Sequence, residues 1–270
     1  MPRTLKVIAD CLDIAPKNAK LNAYVCSTYL AYGYPKKAYE YYKFCSSLIP
    51  EQGRAAILQP IFYSYLKDKN VETYEALFAE LQSLYLRPGH SPTELMSLMS
   101  LRAAMVNALL VNKEYEAAVK AADGYLAAYE AELKADESAP FWATFDKSYA
   151  EDLKKLYYDC MFQYSKFAVM SMKGKALVAL GRKDGLFDEL LAVVKHISET
   201  KFSATYESGY YSVYYDSYQG YMYLAALARS AEMDAQADEF MKLGNAYKSK
   251  YDEMQKAAQK KYEESQKKPQ

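Results

Sequence analysis

The stretch that decides the fold runs from Pro16 to Pro50 and reads PKNAKLNAYVCSTYLAYGYPKKAYEYYKFCSSLIP. Its terminal prolines are 34 residues apart, and so are Cys11 and Cys45, which precede them. A period of 34 residues is typical of a helix–turn–helix unit that buries its apolar face only by stacking on neighbouring units. Gly33 lies between the two halves and can adopt the backbone conformation that a tight turn between helices requires. The stretch therefore predicts one unit of a helical repeat.

Small and large residues alternate in this unit as close helix packing requires. Small side chains let two helices approach, and large ones fill the grooves of a neighbour. Counting Ala19 as position 1, the small residues are Cys26, Ala38 and Cys45 at positions 8, 20 and 27, and the large ones are Val25, Tyr29 and Tyr42 at 7, 11 and 24. With Gly33 at the turn and Pro50 at 32, residues 19–52 resemble a tetratricopeptide repeat. Asn22 departs from the pattern, because the family prefers a bulky aromatic residue at position 4.

The resemblance implies an all-α fold, a right-handed α-solenoid of antiparallel helix pairs. We predict a single domain over residues 1–270, with a half-repeat at 3–18 and an insertion at 135–148. The repeats are expected at about 19–52, 53–86, 93–134, 149–199 and 203–264. In the second, Pro60 should delay or kink a helix over Ile57–Leu66. In the third, Ala104 and Met105 take positions 7 and 8, and Asn112 and Lys113 form the turn. The last contains a helix over about Thr205–Ser230.

Composition excludes some classes of protein. Half of the residues are apolar and 34 basic residues balance 34 acidic ones, which argues against nucleic acid as the main ligand. The four cysteines form no CxxC pair. Three of them, Cys11, Cys26 and Cys45, fall at small-residue positions and are expected to be free packing residues. A Cys26–Cys45 disulfide is the alternative.

The N-terminus lacks the uninterrupted apolar run of a signal peptide, and no run reaches the roughly 20 residues of a membrane span. The chain as written is therefore expected to be cytoplasmic, or exported if an upstream signal has been removed. The half-repeat 3–18 would expose apolar side chains. A truncated start, a covering partner and self-association through this segment are all open explanations.

No catalytic motif is present. His90 and His196 share no metal-ligand spacing with Cys, Asp or Glu, and the sequence contains no P-loop, GxSxG or HExxH motif. We therefore expect no enzymatic activity, no cofactor and no metal site.

The resemblance implies a concave groove lined by the first helix of each pair, which binds a peptide or helix of a partner protein. Family positions 2, 5, 9 and 12 give the candidate groove residues, which are Lys20, Ser27, Leu30, Met99, Arg102, Val106, Leu109, Gln219, Met222 and Arg229. The family's carboxylate-clamp pattern is absent. The expected function is a non-catalytic interaction scaffold whose partner is unknown.

Aromatic residues suggest a second kind of surface. Among 29 tyrosines, Tyr206, Tyr210, Tyr214 and Tyr218 share one stripe of the helix predicted at 205–230. Trp142 lies in the insertion, which either plugs an apolar seam or forms a binding lid. The stripe is either core or an exposed aromatic surface. Alternative functions are an exported small-ligand or glycan-binding protein, and the severed helical portion of a larger regulator.

Overall fold

The computed structural model of the chain describes residues 3–67, 71–136, 140–182, 185–203, 206 and 209–266. Throughout these residues the protein is helical, and no strand occurs among them, so the protein is all-α. The chain divides into two compact units, Met1–His90 and Ser91–Gln270. Ser91 begins the second unit with a capping box, in which its N–H donates to the Glu94 carboxylate at 2.7 Å.

The first unit contains five α-helices in its described part: α1 (Arg3–Ile14), α2 (Ala19–Ala31), α3 (Pro35–Cys45), α4 (Glu51–Lys67) and α5 (Val71–Tyr85). Helix α2 packs on α1, α3 and α4, while α4 packs on α3 and α5. The predicted late start of α4 is wrong, because the helix begins nine residues before Pro60. Pro60 is exposed, and a proline is tolerated better where water can solvate the freed carbonyl.

Buried hydrogen bonds account for Asn22, which departs from the repeat pattern. Its side chain is 1% exposed, and its Nδ2 donates to the carbonyl oxygens of Pro16 at 3.0 Å and Asn18 at 2.9 Å. Its Oδ1 accepts a hydrogen bond from the Tyr41 hydroxyl at 2.7 Å. One polar side chain thus links the turn after α1 to α2 and α3, with its buried donors and acceptor satisfied.

The second unit contains α6 (Pro92–Val111), α7 (Tyr115–Asp136), α8 (Lys147–Lys155), α9 (Phe162–Ala179), α10 (Leu186–Glu199), α11 (Gly209–Ser230) and α12 (Asp234–Gln266). A 3₁₀ turn spans Pro140–Thr144, and a π-helical turn over Leu156–Met161 joins α8 to α9. We call α6, α9 and α11 the first helices, and α7, α10 and α12 the second helices. Each first helix packs on the second helix that follows it, and α9 packs on both α6 and α11.

Four helix pairs share one turn. In each pair, a residue just after the first of the two helices is left-handed, with φ of 76° at Gly33, 64° at Lys113, 72° at Gly181 and 62° at Glu232. In each, the left-handed residue's N–H donates three residues back, and the next N–H donates five residues back. This is the Schellman arrangement of a helix C-terminus. In three of the pairs, the residue five positions after the left-handed one is a fully buried alanine. These are Ala38, Ala118 and Ala237, each 0% exposed.

A ladder of ion pairs joins α7 to α9 and to the turn that follows α9. Lys166 Nζ lies 2.6 Å from Glu130, Lys173 Nζ lies 2.7 Å from Asp123, and Arg182 lies 3.3 Å from Glu116. Along the ladder, the residue numbers of the acidic partners fall while those of the basic partners rise, so the two helices run in opposite directions. Most of these side chains are substantially exposed, and each pair therefore stabilises the protein only slightly.

Two expectations from the sequence are wrong. Cys11 is exposed, whereas Cys26 and Cys45 are buried, so Cys11 is not a packing residue. All four thiols are free, and burial raises the pKa of the Cys26 thiol to about 12.

Helix α11 begins at Gly209, so Tyr206 lies before the helix. The predicted start at Thr205 falls outside the described residues.

Candidate functional site

The predicted groove residues of the first unit lie on α2, and their exposure fits an open helix face. Lys20 and Ser27 are exposed, and Leu30 is half-buried. They lie on the same helix as Asn22, which is buried. The side of α2 that carries Lys20 and Ser27 is therefore free to meet another molecule.

Most of the predicted groove residues of α6 are buried and do not lie on an open helix face. Met99 and Val106 are 0% exposed and Arg102 is 1% exposed, while Leu109 is half-buried. The turn explains the difference. The left-handed residue Lys113 corresponds to Gly33, so the pattern on α6 begins one residue later than the sequence predicted. The residues that take the outward positions are Ser100, Ala103, Asn107 and Leu110, two of which are exposed and two half-buried.

Arg102 has a structural role instead. Its Nη1 and Nη2 atoms each lie 2.6 Å from a carboxylate oxygen of Glu132 on α7. The guanidinium carbon lies 5.8 Å from the centre of the Tyr125 ring. Its Nε is buried and makes no hydrogen bond within the described part of the chain. A bidentate pair of this kind fixes α6 against α7 with defined geometry.

On α11, two of the three predicted groove residues contact the last helix. Met222 lies against Gly244 of α12. Arg229 lies 3.3 Å from Asp238, also on α12. Gln219 is half-buried and precedes Met222 by three residues and Arg229 by ten. At 100° per residue, Ala226 lies on the same side of the helix as Gln219. Gln219 and Ala226 therefore form the open face of α11.

First and second helices differ in the chemistry of their exposed residues. Those of the first helices are Thr93, Ser100, Asn107, Val111, Lys175, Ala179, Tyr215, Ala226, Arg229 and Ser230. Acidic residues are absent from this set, and only two members carry a charge. The exposed residues of α7 and α10 include Glu116, Lys120, Asp123, Glu130, Lys134, Asp188, Glu189, Lys195, His196 and Glu199. We refer to the exposed side of α6, α9 and α11 as the first-helix face.

Tyr223 organises the junction of α9 and α11 within this face. Its hydroxyl donates to the Ser171 carbonyl at 2.9 Å, and its ring meets Phe167 edge-on at 5.7 Å. Lys175 Nζ lies 5.2 Å from the ring centre. Burial raises the pKa of Tyr223 well above its usual value, so the hydroxyl stays protonated and holds its hydrogen bond.

The aromatic surface predicted from the sequence is mostly packed. Trp142 is 5% exposed, and its Nε1 donates to the Tyr158 hydroxyl at 3.3 Å. Tyr206 and Tyr210 pack on Phe202 with ring centres 5.6 and 5.5 Å away. Tyr214 packs on Tyr210 at 5.8 Å. The contacts of Tyr206, Tyr210 and Tyr214 join these rings to the core of the second unit, and Tyr206 reaches it from outside α11.

The predicted stripe is open only at its edge. Tyr214 and Tyr218 are both half-buried. Lysines of α12 cover their rings, with Lys250 Nζ 5.6 Å from Tyr214 and Lys248 Nζ 6.0 Å from Tyr218. Aliphatic lysine stems shield ring surface in this position while the ammonium remains in water. Tyr214 and Tyr218 therefore belong to the contact between α11 and α12.

Among the described carboxyl groups, Asp216 is the one whose pKa the fold changes most clearly. It lies on α11 near Cys160 of the π-helical turn and Tyr164 of α9; burial is the main cause of the raised pKa of both groups, and the Asp216 charge raises it further. Burial raises the pKa of Asp216 to about 7. Desolvation disfavours the carboxylate, and no cation compensates for it among its described neighbours.

A cleft of about 470 Å³ opens between α7, α9 and α10, with Val119, Met170 and Leu190 among its lining residues. Of its charged residues, Asp123, Lys173 and Arg182 already take part in the ion-pair ladder, and Glu189 is exposed. Among the described residues, no group of three or more His, Cys, Asp or Glu could hold a metal ion.

Helix α6 is long and apolar enough to cross a membrane by length and composition alone. In its most apolar window 44% of the helix is buried inside the protein, and one such helix is weak evidence of a span. No protein-family model, curated protein or solved structure matches the chain.

Proposed function

We propose that this protein is a non-catalytic scaffold that docks a helix or extended peptide of a partner protein on its first-helix face. The observation that carries the proposal is the difference in exposed chemistry between the two sets of helices. Small, uncharged side chains let a partner backbone approach closely, and their burial leaves few charges to desolvate. The charged exposed residues of α7 and α10 are typical of a face that remains in water.

The same proposal includes the finer fold, in which each unit is built of tetratricopeptide-like helix pairs stacked as a right-handed α-solenoid. Three features support it: the turn shared by four pairs, the small residues at equivalent places, and the packing of each first helix on the next. In a stack of this kind the first helices form one continuous surface, which is the usual ligand face. In the second unit that surface comprises α6, α9 and α11.

Matched arginine substitutions at two exposed alanines test the proposed face. Ala226 on α11 and Ala192 on α10 are both exposed alanines, so Ala226→Arg and Ala192→Arg add the same side chain to a first and a second helix. A partner is captured from the source cells, identified by mass spectrometry and purified. We expect Ala226→Arg to weaken its binding at least tenfold and Ala192→Arg to leave it unchanged, as measured by calorimetry.

Thermal unfolding of both variants provides the control, since exposed substitutions should leave the melting temperature within about two degrees of the parent. Equal binding by the two variants would contradict the proposed face. Weakened binding by Ala192→Arg alone would place the partner on the second helices instead.

A further inference from the structure

Helix α1 presents a second surface, which the proposed function does not use. Val7, Cys11 and Ile14 follow one another at helical spacing along its outer side. Val7 is 55% exposed and Ile14 is 87% exposed, and Cys11 is exposed between them. One flank of the helix faces α2, where Ile8 is 5% exposed. Helix α1 therefore carries an apolar stripe that no described residue covers.

The charges of α1 lie along one flank of this stripe. Arg3 and Lys6 occupy the first half of the helix, and Asp10 and Asp13 occupy the second half; all four are exposed. At 100° per residue they fall within about 80° of one another, on the same side of the stripe. One flank is therefore basic at its N-terminal end and acidic at its C-terminal end.

We infer that a second copy of this chain covers the stripe, with the two α1 helices antiparallel about a two-fold axis. In an antiparallel pair, each flank faces the same flank of the other helix, so the basic half of one meets the acidic half of the other. Setting Val7 opposite Cys11 of the second copy places Lys6 within one residue of Asp13 of that copy. The two-fold axis makes every such contact twice.

A parallel pair lacks this match. It sets the charged flank of one helix against the other flank of its partner, where Ile8 and Leu12 turn towards α2. The order of charges along α1 therefore selects the antiparallel dimer, much as flanking charges select orientation in coiled coils.

The contact is short, because α1 has 12 residues and is about 18 Å long. We therefore expect a weak dimer, to be measured by sedimentation equilibrium of the full chain between about 1 µM and about 1 mM. Lys6→Glu replaces attraction by repulsion at two symmetric places and should raise the dissociation constant about tenfold. Exchanging the charges in Lys6→Glu/Asp13→Lys should return the dissociation constant to the wild-type value. Lys17→Glu, exposed just beyond α1, should have little effect.

Cysteine pairing tests the alignment of the helices. Val7→Cys brings a new thiol opposite Cys11 of the second copy, and oxidised glutathione, as the electron acceptor, should convert the two thiols into an intermolecular disulfide. Val7→Cys/Cys11→Ser and Lys17→Cys/Cys11→Ser should give much less covalent dimer. A wild-type chain that is monomeric over the whole range would overturn the inference. A dimer that is insensitive to Lys6→Glu, or that cross-links equally through Lys17→Cys, would overturn it as well.

Discussion

Replacing Arg102 by methionine should destabilise the second unit strongly, because it leaves the Glu132 carboxylate without its partner. Removing one member of a buried ion pair costs about 3–5 kcal/mol. Glu132 is 14% exposed and can still recruit some water, so we expect about 3 kcal/mol, the lower end of that range. Replacing both residues in Arg102→Met/Glu132→Leu removes the charge along with its partner. That variant should lie within about 1 kcal/mol of the wild type.

Urea unfolding followed by tryptophan fluorescence measures this effect in the unit concerned. Trp142 is the only tryptophan of the chain, and it is buried in the second unit. A loss of 3 kcal/mol should lower the urea midpoint by about 1 M or more. Arg182→Met is the matched control, because Arg182 is 56% exposed and lies 3.3 Å from Glu116; it should cost at most about 1 kcal/mol.

The reasoning fails if Arg102→Met and Arg182→Met lower the midpoint equally. It also fails if the double substitution is as unstable as Arg102→Met alone, since the cost would then come from lost packing rather than from an uncompensated charge. The buried Nε of Arg102, which makes no hydrogen bond in the described part of the chain, favours a low cost for the double variant. The wild-type pair leaves one donor unsatisfied, and the apolar replacement removes it.

Two further predictions concern buried polar groups. Asn22→Leu removes three hydrogen bonds and should destabilise the first unit by about 2–3 kcal/mol, which faster hydrogen exchange in α1–α3 would reveal; Ser27→Leu on the same helix is the control, and equal exchange in both would contradict the prediction. Asp216 has a pKa of about 7 in the folded state and about 4 when unfolded, so its contribution to stability should fall as pH rises between these values. Asp216→Asn should remove this fall, whereas exposed Asp188→Asn should not, as melting temperatures across pH would show; parallel profiles for wild type and Asp216→Asn would refute it.

The helical fold and the first turn were predictable from the sequence, because Gly33 is a residue that tolerates positive φ. The equivalent residues Lys113 and Glu232 have the same conformation but carry no signal for it, since non-glycine residues rarely adopt it. The turn at 112–113 was therefore predicted without its exact register. A displacement of one residue rotates a helix face by 100°, which is why Arg102 was expected in a groove and lies in the core.

Other differences arise from tertiary contacts that local patterns cannot report. A cysteine at a small-residue position was expected to pack, but Cys11 lies on the side of α1 that faces no described helix. The tyrosines of α11 were counted as one stripe. Whether such a ring is core or surface depends on the lysines and aromatic rings that α12 brings over it. The contrast in charge between first and second helices was present in the sequence, and the correct register makes it visible.

The two proposed surfaces should respond differently to salt, because their chemistry differs. The exposed first-helix face carries two cations and no carboxylate, and Arg229 already pairs with Asp238, so partner docking depends mainly on apolar burial and shape. Burial of that kind changes little between low and physiological ionic strength. The α1 dimer relies on exposed pairs such as Lys6 with Asp13 of the second copy, which salt screens over about 10 Å at 0.1 M. Raising the salt concentration should therefore dissociate the dimer before it releases a partner from the first-helix face. A partner released at the same salt concentration as the dimer would contradict docking by apolar burial.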